Sequence, residues 1–314
     1  MSEKIRRTNL RDKPLVVTHR NCFDGVTAAW AFRSFNGDDF EWVQWNFGDE
    51  GVPDTQGRVV YIADFSFPRD IMADKIILPS KKTIVFDHHK TAEAELDGLI
   101  RYIREKHGIN RTADEIHFDS SRSGAGITWD YFEKKHGQKR GFHSPRLLMQ
   151  RENWLVNAVE DRDLWNFKIE YTKEIIAYLA TVPMTMESWD AVYALGRTNV
   201  AERGRSIVQY IEMFSDKAVK TAKRETVEGY EVPTMNVQYM NGSDHLHKLH
   251  DSNPDDPFVV GFFRRSDGKW QLSFRSRDNF DCSEIAQRFG GGGHKCASGA
   301  VVEELPWDSK TETD

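Results

Sequence analysis

The chain has 314 residues, enough for one large domain or two ordinary ones, each with its own core. Hydrophobic residues make up 39% and charged residues 29%, which excludes a disordered or membrane-embedded composition. A net charge of -6 argues against sequence-independent gripping of long nucleic acid, which needs many unopposed Lys and Arg contacts to phosphate, and leaves room for a small anionic substrate in a local basic pocket.

The N-terminal stretch Met1 to Lys13 is dense in charge and lacks the apolar core of a signal peptide. No run approaches the roughly 20 apolar residues of a transmembrane helix. The three cysteines, Cys22, Cys282 and Cys296, have no disulfide-framework or zinc-knuckle spacing, so a reducing cytoplasm is the expected setting.

Pro14 to His19 reads as a buried strand, and Asp24 to Phe32, rich in small residues, as the helix after it. Phe40 to Trp45 and Arg58 to Asp64 read as further strands, the second ending on an acid. Thr83 to Phe86 is a short β-type run that delivers Asp87-His88-His89, which is either an acidic turn with two solvated histidines or part of a site. Helical stretches near Pro68 to Ala73 and Thr91 to Lys106 alternate with these strands, and that alternation predicts a mostly parallel sheet covered on both faces. Such a sheet gathers its strand ends on one edge, so His19, Asp24, Asp64 and Asp87-His88-His89 are expected to converge there.

Ser120 to Gly126 precedes a helical pattern at Ile127 to Lys134 and reads as a cap, or as a helix N-terminus suited to phosphate. Helix is also expected around Ser144 to Val159, running into Glu160-Asp161-Arg162-Asp163. Acids at a helix end oppose the macrodipole, so this cluster is either a solvated turn or a group held there for use. Thr198 to Arg224 is polar and helical, with a basic tail and no strand signal.

Beyond it, Val232 to Gln238, Phe258 to Phe263 and Trp270 to Phe274 read as strands and Ser283 to Phe289 as a short helix, a small α+β domain of its own. His245 to His250 reads as an amphipathic helix with inward leucines and a solvated histidine face. On the strand Ser273 to Arg277, Arg275 and Arg277 share one face. Gly290 to Gly293 followed by His294 and Lys295 is either a flexible loop or an amide nest for an anion, and with the arginines it makes a candidate phosphate grip.

Together these segments resemble the DHH phosphoesterase family with its DHH-associated C-terminal domain, a group that includes RecJ-type exonucleases, short-oligonucleotide phosphodiesterases and exopolyphosphatases. The resemblance runs from His19 to about Gly299 and rests on His19 to Gly25, Asp64, Asp87-His88-His89, Asp161, Ser273 to Arg277 and Gly290 to Gly299. It implies an α/β catalytic domain over residues 1–197, a helical linker over 198–228 and a substrate-binding α+β domain over 229–314. It also implies a two-manganese site, with Mg²⁺ or Co²⁺ as alternatives. His19 and Asp64 would hold one ion, and Asp24, Asp64, His88 and Asp161 the other, with Asp163 as the alternative to Asp161. Asp87 would orient its histidine neighbours, and His89 would face the scissile phosphate. Arg275, Gly291, Gly292, Gly293 and His294 would bind substrate. The family's first motif has a further Asp where this chain has Cys22, which makes Cys22 an additional candidate ligand.

The function expected from this set is metal-dependent hydrolysis of phosphodiester bonds in short oligonucleotides or linear dinucleotides. The alternatives are a phosphatase or exopolyphosphatase on the same metals, and a non-catalytic nucleotide-binding protein. Partners are expected to be small phosphoesters, with no membrane or long nucleic acid and a monomeric or homodimeric state.

Overall fold

The computed structural model describes residues 13–46, 49–137, 153–237, 242–277 and 279–308. The charged stretch before Lys13, the start of the helix expected from Ser144, and Gln238 lie outside the described residues. The chain divides into two compact units, Met1–Arg205 and Ser206–Asp314.

The first unit is built on five parallel strands in the order β2-β1-β3-β4-β5. These are β1 (Leu15–His19), β2 (Glu41–Trp45), β3 (Val59–Ala63), β4 (Lys82–Asp87) and β5 (Glu115–Phe118). Val16, Val17, Val60, Ile62, Ile84, Val85 and Phe86 are buried, as β-branched runs are when both faces of a parallel sheet are covered. Helix α1 (Phe23–Asn36) carries the chain from β1 outward to β2, whereas β3 returns to the opposite side of β1. That reversal leaves a crevice at the carboxyl ends of β1 and β3, where open α/β sheets bind their ligands.

One face packs α1, α5 (Gly124–Gly137), α6 (Trp154–Asp163), α7 (Thr172–Leu179) and α8 (Met186–Leu195) around Trp30, Phe32, Phe132 and Trp189. Burying each such side chain stabilises by about 1.5–3 kcal/mol, and it is this apolar layer that fixes where α1 and α5 begin. The other face is covered by the helical segment α2 (Arg69–Ile71), its π-helical continuation Met72–Ile77, α3 (Lys90–Leu96) and α4 (Leu99–His107). The stretch expected as one helix over Thr91 to Lys106 breaks in two because Gly98 takes a left-handed φ of 69°.

Helix α9 (Arg197–Ala218) spans the division between the units. The helical reading of Thr198 to Arg224 is too long: the helix ends at Ala218, and Lys223–Val227 is strand β6. It is an edge strand that buries only Val227, so its exposed charges mimic a solvated helix.

The second unit holds a mixed six-stranded sheet, β10-β11-β9-β8-β7-β6. Its other strands are β7 (Tyr230–Asn236), β8 (Phe258–Arg264), β9 (Trp270–Ser276), β10 (Gly292–His294) and β11 (Ala297–Val302). Helix α10 (Gly242–Asp251) covers one face through Leu246 and Leu249 against Met235, Val237 and Val259. Helix α11 (Cys282–Arg288) covers the other through Ile285 and Ala286 against Phe258, Leu272 and Phe274.

Candidate metal centre

His19 ends β1, and the turn Arg20 to Cys22 leads into α1, whose first turn carries Asp24. Asn21 bends that turn with φ 55°, and Gly25 lets α1 start against His19, since a Cβ there would lie 2.6 Å from the His19 carbonyl oxygen. Asp64 follows β3 with φ 55°, a left-handed backbone that Asp tolerates better than most residues and that commonly marks functional positions. Asp87 ends β4, and His88 and His89 follow it.

The geometry centres on Asp64. Its Oδ1 lies 3.3 Å from His88 Nε2, and its Oδ2 lies 3.9 Å from His19 Nδ1. One carboxylate thus faces two groups of donors, His19 with Cys22 on one side and Asp24 with His88 on the other, and the potential ligand atoms of each group lie within 4.8 Å of one another. His88 Nε2 is also 3.9 Å from Asp24 Oδ2 and 3.5 Å from Asp163 Oδ2.

Asp163 takes the place in the cluster that the sequence reading gave to Asp161. Both lie at the end of α6, but two residues apart on a helix point about 200° around the axis. Asp161 turns away, and its oxygens accept hydrogen bonds from the Lys168 amide (2.9 Å), the Ile169 amide (3.0 Å) and the Thr172 hydroxyl (2.5 Å). It tethers the start of α7. The other charged residues of this helix end are also engaged: Glu160 accepts from Arg122 and from the Ser123 amide, and Arg162 lies 3.9 Å over the Trp165 ring. Glu160 and Asp161 are thus held by specific partners, which offsets their unfavourable position at a helix C-terminus.

The N-terminus of α5 serves the carboxylates rather than a phosphate. The Ala125 amide donates to Asp24 Oδ1 at 3.0 Å, and Ser123 caps the Gly126 amide. Gly124 allows this approach, because a Cβ there would lie 2.7 Å from the Asp64 nitrogen and 2.9 Å from Asp24 Oδ2. Gly124 was not singled out as a site residue from the sequence, and Asp163 was named there only as the alternative to Asp161. The Ser-Gly-Ala-Gly run did mark the region, but a cap signal does not say which carboxylate the cap meets.

Asp87 is buried, and its carboxylate oxygens are engaged by the residues that follow it and by Ser66. Its Oδ1 accepts from the His88 amide (2.7 Å), the His89 amide (3.2 Å) and the His89 ring Nδ1 (2.7 Å), and its Oδ2 accepts from the Ser66 hydroxyl (2.5 Å). Burial alone would neutralise this carboxyl, but His89 and the Ser66 hydroxyl outweigh that and hold it well below the usual range. Reciprocally, burial opposes a charged His89, and Asp87 overrides it and raises the imidazole.

Electrostatically the cluster is short of positive charge. Burial and the neighbouring Asp64 and Asp163 push Asp24 well above the ordinary carboxylate range, and burial pushes Asp163 up as well. Against its own burial, His88 is pushed up to about 10 by Asp64, Asp163 and Asp24. Oδ2 of Asp24, of Asp64 and of Asp163 are buried without a hydrogen-bond partner among the described residues. Unpartnered buried carboxylate oxygens are costly, and divalent cations remove that cost, so the donor set fits a pair of metal ions. Cys22 stands half-buried beside this set, and burial together with the Asp64, Asp163 and Asp24 charges pushes its thiol well up.

In the second unit, Arg275 donates to the Phe274 carbonyl and to the Ser243 hydroxyl, both at 2.8 Å. It lines a cavity of about 190 Å³ with Val237, Leu246, Phe263, Gln271 and Ser273. Arg277 instead pairs with Asp251 at 3.1 Å, so the two arginines that share a strand face engage different partners. The glycine run is not an open nest: the Gly290 and Gly291 amides donate to Gln287 and Ala286 at the end of α11, and Gly292–His294 pair with Ala297–Gly299 as β10. A Cβ on Gly291 would sit 2.0 Å from the Gly299 carbonyl oxygen, so this glycine serves backbone packing. The solvated histidine face on α10 is also overturned. His245 is buried with its Nδ1 2.7 Å from the Ser215 hydroxyl, and His250 is buried 3.3 Å from the Asp256 carbonyl. Both fall where α10 meets structure on two sides, and burial holds both imidazoles below their usual range.

Among curated proteins, uncharacterized protein R106 of Acanthamoeba polyphaga mimivirus is 26% identical over 272 residues, covering 83% of this chain and 57% of its own length. The chain thus spans a little over half the length of that relative. Among solved structures, a pGpG-specific phosphodiesterase, PggH from Vibrio cholerae, aligns over 92% of this chain and 93% of its own at 15% identity and a TM-score of 0.36. Residues 244–312 match the DHHA1 domain directly. The second unit thus contains a stretch similar to the DHHA1 domain, a DHH-associated domain, and in this chain it follows a parallel-sheet unit with Asp87-His88-His89 at a strand end.

Proposed function

We propose that this protein is a two-metal phosphodiesterase that hydrolyses short oligonucleotides or linear dinucleotides, with Mn²⁺ as its working ion. The observation that carries the reading is Asp64, whose two oxygens face His88 at 3.3 Å and His19 at 3.9 Å, the arrangement a bridging carboxylate requires. His19 and Asp64 would hold one ion, with Cys22 beside them. Asp24, Asp64, His88 and Asp163 would hold the other. Bound there, such ions supply Lewis-acid stabilisation of the phosphate and a nucleophilic water at neutral pH.

The remaining chemistry belongs to the chain's own groups. Asp87 takes the His89 Nδ1 proton as a hydrogen bond and fixes that ring, which leaves Nε2 to donate to a phosphate oxygen or to the leaving oxygen. Ser66 anchors Asp87 from the far side, so the ring's orientation is set before substrate arrives. In the second unit, Arg275 and His294 are the proposed grip on a substrate phosphate, and the apolar side of the Arg275 cavity suits a base.

The test is hydrolysis by the metal-loaded full chain of linear dinucleotides, oligonucleotides of increasing length, polyphosphate and 3′-phosphorylated mononucleotides, with products resolved by mass. The reading expects Mn²⁺-dependent cleavage of the shortest diesters. Turnover of polyphosphate or monoesters alone would replace the diesterase reading with a phosphatase one.

A further inference from the structure

Cys22 brings sulfur to a site otherwise made of oxygen and imidazole. It sits at the N-cap of α1, where the strained turn at Asn21 places its Sγ within 4.8 Å of a ring nitrogen of His19 and a carboxylate oxygen of Asp64. A second observation points to a ligand at that spot. Asp64 Oδ2, buried and without a hydrogen-bond partner among the described residues, faces the same group, 3.9 Å from His19 Nδ1. The companion group has no sulfur: Asp24, Asp64, His88 and Asp163 offer three carboxylates and one imidazole.

The two positions that share Asp64 therefore differ in softness. Thiolate and imidazole favour Zn²⁺, Co²⁺ or Fe²⁺, whereas carboxylate-rich sites favour Mn²⁺ or Mg²⁺. We propose that this chain holds an unlike pair, a thiophilic divalent ion bound by His19, Cys22 and Asp64 and a hard divalent ion bound by Asp24, Asp64, His88 and Asp163. The inference rests on the metal-centre reading above. On binding, the Cys22 S–H bond is lost, its proton passes to solvent and an Sγ–metal bond forms, with no change in oxidation state.

The test is a Co²⁺ titration of the metal-stripped full chain followed by absorption. The proposal expects a thiolate-to-cobalt charge-transfer band in the near ultraviolet that saturates with the first equivalent and survives addition of Mn²⁺. Cys22→Ser should lose the band and weaken Zn²⁺ at that position by about 100-fold or more, at least the upper end of what loss of an outer-shell partner costs. Cys22→Asp should bind Mn²⁺ at both positions. Co²⁺ should also protect Cys22 of the unmutated protein from alkylation, a measurement that remains decisive if the variants do not fold. Binding of two Co²⁺ ions without the band, or unchanged Zn²⁺ affinity in Cys22→Ser, overturns the inference and leaves the metal centre standing. No divalent ion binding to the unmutated protein overturns both.

Discussion

At the scale of single residues, two neighbouring aspartates separate metal binding from stability. Asp163→Asn is expected to lose the ion shared with His88 and nearly all turnover while keeping its fold, because Asp163 Oδ2 has no hydrogen-bond partner to lose. Asp161→Asn is expected to keep its metals and lose stability by about 1–3 kcal/mol, since it leaves buried donors near α7 poorly matched. Calorimetric metal titration and denaturant unfolding of both variants check this, and loss of metal in Asp161→Asn alone would reverse the assignment. Asp87→Asn should leave metal stoichiometry unchanged and lower kcat by about 10²-fold through a mispositioned His89. Metal uptake should also release protons at neutral pH. His88 is pushed up to about 10, so it must shed a proton to bind, and with Asp24 and Asp163 raised above the ordinary carboxylate range affinity should fall as pH drops. Calorimetry in buffers of different ionisation enthalpy reads this directly, and no proton release would count against the ligand set. The residues that end strands, His19, Asp64 and Asp87, were legible in the sequence because a strand's end fixes where its side chain emerges. The choice between Asp161 and Asp163 was not legible, because it turns on the helical phase at the end of α6.

At the scale of elements, the crevice depends on how closely α5 approaches β3. Gly124→Ala places a methyl group within 3 Å of both Asp64 and Asp24, so it should abolish metal binding with little loss of helix content. Metal titration alongside circular dichroism checks it, and normal metal affinity would show that the approach is not required. Strands β1, β3 and β4 were readable because buried parallel strands are continuous apolar runs, and β2 was read although it is a half-buried edge strand. Strands β5, β6 and β10 escaped because they are edge strands whose residues are mostly half-buried or exposed, so the apolar run that marks a central strand is missing, and the internal strand β11 escaped because its first half, Ala-Ser-Gly, has no such run either. The glycine run misled for a different reason. Its lack of side chains signals close approach, but the sequence does not say whether the approaching group is an anion or, as at Gly299, another stretch of backbone.

For the whole molecule, the proposed division of labour gives the parallel-sheet unit the chemistry and the second unit the grip on substrate. Arg275→Ala should then raise KM for a dinucleotide by about tenfold while leaving metal content and the thermal transition of the first unit unchanged, because it removes a charge-assisted contact of roughly 1.5–3 kcal/mol. The net charge of -6 fits this plan, since a short anionic substrate needs only a few local positive groups. The central claim is the proposed one, that Asp64 would be shared by two ions in a site that hydrolyses phosphodiesters. The most direct measurement pairs metal content with single-turnover cleavage of a linear dinucleotide for the unmutated chain and Asp64→Ala. The account predicts two bound divalent ions and rapid cleavage in the former, with ions lost and the rate down by about 10³-fold or more in the latter. Asp64→Ala that retains both ions and cleaves at the normal rate would contradict it.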